Sequence, residues 1–150
     1  MTKPRGLTAL AVALAACTPP IAPVEEEPGL HAPTLLSPAE GFRIRQNDPT
    51  TGCYFAPESG YGYQIAFDWS DVSAASSYHI YAIHSGAAFP VLDTVVVESR
   101  LFHRSCGYVT DANLNGWKWR VASVAADGSV GPWSAYRSWD FDPIAWPPQP

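Results

Sequence analysis

The stretch Gln64-Ile65-Ala66-Phe67-Asp68-Trp69 decides the fold, because its large apolar residues fall on every second position. Ile65, Phe67 and Trp69 share one face of an extended chain and Gln64, Ala66 and Asp68 the other, the period of a half-buried strand. Outward from it the alternation recurs: Tyr78, Ile80 and Ala82 against His79, Tyr81 and Ile83, and Trp117, Trp119 and Val121 against Lys118, Arg120 and Ala122. Leu92 to Val97 is apolar and β-branched, and Tyr136 to Phe141 ends the pattern. Turn-forming residues separate these runs at 37–41, 70–77, 84–88, 113–116 and 127–129. No stretch of helical periodicity longer than two turns competes. The expectation is an all-β sandwich of about seven short antiparallel strands.

The chain has 150 residues, 14 acidic against 9 basic, with 7 Tyr, 6 Phe and 6 Trp. That length allows one ordinary domain and leaves no room for two. A formal balance of −5 argues against nucleic acid as partner, since phosphate contacts call for a basic face. Trp69, Tyr78 and Trp119 fall on inward faces and are expected in the core, where such rings bury about 150–250 Å² each.

Met1 to Arg5 is cationic, and Gly6 to Ala16 carries no charge. As a helix that apolar run rises only about 16 Å, half the apolar thickness of a bilayer, so it cannot span one. A basic start, a short apolar stretch and small residues are the pattern of an export signal, here residues 1–16. Leu14-Ala15-Ala16-Cys17 resembles the lipobox of bacterial lipoproteins at all four positions. The resemblance implies that Cys17 becomes the N-terminus and carries acyl chains such as palmitate. Several chains on one residue supply the two or more anchors that stable membrane attachment needs. Loss of Lys3 and Arg5 with the signal leaves 7 basic residues against 14 acidic, a balance of −7. Thr18, rather than Asp, after the cysteine resembles the sorting context for the outer membrane in enteric-type bacteria.

Residues 17–33 read as a tether. Thr18 to Pro33 holds five prolines in sixteen residues and the acidic run Glu25-Glu26-Glu27, a composition that stays extended and reaches roughly 50 Å. Residues 143–150 form a second proline-rich segment, which contains Trp146. The folded unit is expected over 34–142.

That unit resembles a fibronectin type III domain, an immunoglobulin-like sandwich found in many exported bacterial proteins. The positions carrying the likeness run from Ala32 to Gly41 (APTLLSPAEG), then Phe67-Asp68-Trp69-Ser70 for strand B and Ala75 to Tyr81 for strand C. They continue with Trp117 to Val121 for strand F and Gly131-Pro132-Trp133-Ser134 leading into strand G. Two departures stand out. Strand F of the family has a tyrosine near the position of Trp117, so the usual hydroxyl-to-backbone tie at that corner is expected to be missing. The connection from Phe42 to Tyr61 between strands A and B is far longer than the family's turn, and such a loop is usually functional or pinned by a crosslink.

Cys53 and Cys106 are an even pair in an oxidising compartment once Cys17 is lipidated. In this fold the A–B and E–F connections emerge at one end, with Cys53 expected in the first and Cys106 in or near the second. A bond between them would close a loop worth about 4 kcal/mol and hold down the insertion. Two free thiols or an intermolecular bond are the alternatives.

Catalytic patterns are missing: the sequence holds no G-x-S-x-G and no H-E-x-x-H. His103 and Cys106 have a metal-like spacing but lack further Cys or His ligands nearby. Asp111-Ala112-Asn113-Leu114-Asn115-Gly116 copies the opening of a calcium loop, yet the bidentate Glu at position 12 is replaced by Ala122. Neither a cofactor nor a metal is expected, and an enzyme is not expected. The sequence points to a lipid-anchored protein of the bacterial envelope, at the outer membrane, presenting one binding or structural module. Two alternatives stand beside it. One is a carbohydrate-binding accessory using Tyr54, Phe55, Tyr61 and Tyr63 of the A–B insertion, and the other is a subunit of an envelope assembly with a protein partner.

Overall fold

The computed structural model describes residues 29–46, 62–107 and 109–144. Nine strands are present among them: β1 (Leu35–Ser37), β2 (Phe42–Ile44), β3 (Gly62–Trp69), β4 (Ser77–His84), β5 (Leu92–Val96), β6 (Arg100–Cys106), β7 (Trp117–Val124), β8 (Val130–Trp133) and β9 (Arg137–Phe141). They form two sheets. The first has the order β1-β3-β6, and the second β2-β9-β7-β4-β5 with β8 also on β7.

Period two sets which side chains fill the space between them. In β3, Ile65, Phe67 and Trp69 are buried while Ala66 and Asp68 are exposed. In the β4–β7 pairing, Tyr78, Ile80 and Ala82 lie opposite Ser123, Val121 and Trp119, and all six are buried. Trp69, Tyr78 and Trp119 are 1 %, 4 % and 0 % exposed, the core positions their alternation predicts. Rings interlock across the sheets: Phe67 lies 4.8 Å from Trp119 and 5.7 Å from Trp139, and Trp69 lies 5.6 Å edge-on from Tyr78. Such tilted and edge contacts are the preferred aromatic geometries. The Tyr78 hydroxyl, buried with its ring, accepts from the Val72 backbone N–H at 2.9 Å.

The sandwich has more strands than the sequence suggests, because two expected strands are broken. Strand A starts in the first sheet as β1, turns at Gly41, whose φ of +69° suits glycine, and joins the second sheet as β2. Phe42, Arg43 and Ile44 therefore belong to a strand and not to the insertion, which begins only after Gln46. β2 pairs with β9 in parallel, so the sheets are not wholly antiparallel. Arg43 clamps this pair: Nε donates to Asp142 at 2.9 Å and an Nη donates to the Phe141 carbonyl at 2.7 Å. Arg137 spans the step between the sheets by donating to the carbonyls of Pro38 and Leu35. Strand G is broken in the same way: β8 and β9 both lie along β7, β8 against Ala122–Val124 and β9 against Trp117–Trp119. Between them Ser134 stands in for the ladder: its N–H donates to the Val121 carbonyl and its hydroxyl accepts from the Val121 N–H.

At one end of the sandwich Gln46, 2 % exposed, ties three segments together. Its amide donates to the Asp142 carbonyl at 2.8 Å and accepts from the Val109 N–H, while its backbone carbonyl accepts from Gly62 at 2.9 Å. Gln46→Leu strands two part-buried backbone groups at about 1–3 kcal/mol each, so a loss of about 2 kcal/mol or more is expected in urea unfolding. Arg100→Ala breaks an ion pair with Glu98 in which both side chains are largely exposed and screened by water, and should leave the unfolding midpoint close to that of the parent. Equal unfolding midpoints for the two variants would refute the assignment of Gln46 as the tie.

Candidate functional site

The outward-facing positions of β4 and β7 alternate with the core positions and carry His79, Tyr81, Lys118 and Arg120. Tyr81 lies directly opposite Arg120, and His79 opposite Ala122, which in turn pairs with Trp133 of β8. Trp133 therefore folds over Ala122, which is fully buried although it points away from the core. The Arg120 guanidinium sits 4.4 Å from the Trp133 ring centre, 4.7 Å from Tyr136 and 5.5 Å from Tyr81. Lys118 Nζ stands 4.7 Å from the same Tyr136 ring. Each cation is drawn to the negative face of the rings, worth about 0.5–2 kcal/mol according to how far water is excluded. His79 packs 4.9 Å from Trp133 and is bonded through Nε2 to Asp93 of β5 at 2.6 Å.

Neither Lys118 nor Arg120 meets a carboxylate among the described residues; the ion pairs there involve Arg43, His79 and Arg100. Arg120 Nε is buried without a hydrogen-bond acceptor among the described residues. The face thus sets two cations over aromatic rings, with Asp93 of β5 opposite Tyr81 and Glu40, bonded to Ser138 opposite Lys118, at its margins. Its alternation is legible in the sequence, but the convergence of Trp133 and Tyr136 on Arg120 is not. That depends on the break between β8 and β9, which sets both rings beside β7.

The residues singled out from sequence fare differently. Tyr63 is 6 % exposed, with its ring edge-on to Phe141 at 4.7 Å, so it offers no face to a ligand and joins the core instead. The reason is its position in β3, two residues before Ile65 on the same inward face. Tyr54, Phe55, Tyr61, Cys17 and Cys53 lie outside the described residues. Cys106 is the last residue of β6, opposite Gly62, and not in the following connection. Because Gly62 bonds to the Gln46 carbonyl, the two feet of the A–B insertion meet at this end. The corner tie expected to be missing is made another way: the Trp117 indole N–H donates to the Asn113 carbonyl at 2.6 Å. Asp111–Asn113 is a single 3-10 turn and Leu114 is buried, so the calcium-loop lookalike serves the approach to β7. No group of three or more His, Cys, Asp or Glu converges among the described residues. Nor is any helix among them long and apolar enough to cross a membrane.

No family model matches this chain, and no curated protein matches its sequence. Among solved structures it is similar to an Fn3-like protein from Clostridium thermocellum, at 14 % identity and a TM-score of 0.40, over 81 % of this chain and 100 % of that one. So loose a superposition decides nothing, and the sandwich assignment rests on the strand order and register described above.

His103 on β6 is half-buried beside Tyr63, with ring centres 6.2 Å apart, and its Nε2 has no hydrogen-bond partner among the described residues. Burial pushes its pKa below the ordinary 6.5. The unfolded chain therefore takes up this proton at higher pH than the folded one does. Stability is complete above pH about 6.5 and falls as the pH drops from there towards the folded pKa. Urea midpoints for the protein and for His103→Gln, taken between pH 8 and 5, should show a downward trend that is shallower in the variant. Parallel profiles would mean that His103 does not contribute.

Proposed function

We propose that this chain is a lipid-anchored protein of the bacterial envelope that displays one fibronectin type III-like sandwich as a binding module. The observation that carries the binding role is the outer face of the second sheet, where Lys118 and Arg120 share the Tyr136 ring and meet no carboxylate among the described residues. A rigid antiparallel scaffold suits such display, since it holds side chains in place without ordering cost. The type III reading is supported by the strand order. The first half of strand A (β1), strand B (β3) and the strand before the E–F connection (β6) make up one sheet, and those matched to C, F and G lie in the other with the second half of A (β2). Export and anchoring are supported by the cationic start, the uncharged run and Leu14-Ala15-Ala16-Cys17.

Cys53 and Cys106 are proposed as partners in a disulfide. In support, Cys106 is disulfide-bonded, and it lies opposite Gly62, where the segment carrying Cys53 rejoins the sandwich. The bond would close a loop of 54 residues, counted from Cys53 to Cys106. Constraining the unfolded chain in this way is worth on the order of 4 kcal/mol before strain.

Two measurements check these readings. Cells fed labelled palmitate should incorporate it into the protein, and Cys17→Ser should abolish labelling and move the protein out of the membrane fraction. Labelling that survives the substitution rules the anchor out. Peptide mapping without reductant should recover Cys53 linked to Cys106, and separate peptides would refute the pairing.

A further inference from the structure

We propose that the outer face of the second sheet binds an acidic polysaccharide, its sugar carboxylates held by Arg120 and Lys118 and its sugar rings packed on Tyr136 and Trp133. This deepens the binding reading above and is independent of the anchor.

The first argument is charge. Arg43, Arg100 and Arg137 each donate to a carboxylate or a backbone carbonyl. Arg120 and Lys118, like Arg45 and Arg104, donate to nothing among the described residues; what sets the first two apart is that they share the Tyr136 ring. Both cations lie 4.7 Å from one ring centre, so two like charges share one ring. The Tyr136 ring neutralises neither of them, and a bound carboxylate would supply the missing counter-charge. A guanidinium is a planar fork that matches a carboxylate in two parallel hydrogen bonds, whereas Lys supplies a point charge.

The second argument is shape. Lys118 and Arg120 are two residues apart on β7 and point the same way, about 7 Å along the strand. Tyr136 is 42 % exposed, and Trp133 and Tyr81 are half-buried with their ring planes at 75° to one another, so the rings line a stepped surface over β4, β7 and β8 with Tyr136 at its edge. An exposed aromatic ring such as that of Tyr136 accommodates the C–H face of a sugar ring. Rings and cations together therefore favour a polyuronate over an acidic polypeptide, which would use the cations alone.

The test uses the full-length protein in detergent micelles, run in native gels containing polygalacturonate, dextran or poly-glutamate. Retardation by polygalacturonate, with none by dextran and less by poly-glutamate, is expected. Lys118→Gln and Tyr136→Ala should each weaken the polygalacturonate Kd about tenfold, and Lys118→Gln should leave the unfolding midpoint in urea unchanged. Binding should also weaken as salt is raised. Equal retardation by poly-glutamate would identify an acidic peptide as the occupant and overturn the proposal. So would the absence of retardation by polygalacturonate, or binding that both variants retain. None of these failures touches palmitate labelling at Cys17, so loss of this inference and loss of the anchored reading are told apart.

Discussion

The contact between Phe67 of one sheet and Trp119 and Trp139 of the other is what makes two sheets into one body. Neither sheet is stable with a bare apolar face, and a short strand contributes few large side chains. Placing an aromatic at the inward step of β3, β7 and β9 fills the gap between sheets with few residues. The register of β3 against β6 and of β4 against β7 follows, because a slip of one residue would turn these rings to water.

That solution has an electrostatic cost. The indole N–H groups of Trp69, Trp119 and Trp139 have no acceptor among the described residues, and a buried donor without a partner costs about 1–3 kcal/mol. The area each ring removes from water offsets this, as dispersion contacts with its neighbours also do. The polar bonds that do form are concentrated where strands change sheet or end. Arg137 reaches the Leu35 and Pro38 carbonyls, Glu40 accepts from the Ser138 N–H and hydroxyl, and Gln46 gathers Val109 and Asp142. The Ser138 bonds also hold the Glu40 carboxyl below its ordinary pKa. Apolar packing thus fixes the middle of the sandwich, and hydrogen bonds fix its ends.

Much of this was legible from residue order, for a physical reason. Alternation is a local property, so Phe67, Trp69, Tyr78 and Trp119 reveal their inward faces within one strand's length. Tyr63 is ambiguous for want of a boundary: taken with the insertion it looks like a free aromatic, and taken with Ile65 it is core. β2 leaves no mark in the sequence because three residues give too short a pattern, and its parallel partner β9 lies almost a hundred positions away. Gln46 gave no signal, since nothing local distinguishes a buried glutamine from a solvated one. The outer face was half legible. Lys118 and Arg120 announce themselves as outward, but Trp133 and Tyr136 reach them only through a break in strand G.

The bond between Gly62 and the Gln46 carbonyl has a consequence for how this molecule can vary. Residues whose ends already touch transmit little of their length to the body that carries them. Closing a longer segment adds only about 0.6 kcal/mol for each doubling. As long as Cys53 is kept, the sandwich can therefore accept a different sequence between these two anchors, longer or shorter, while Phe67 and Trp119 stay where they are. The join works as a socket, open to new content at little thermodynamic expense.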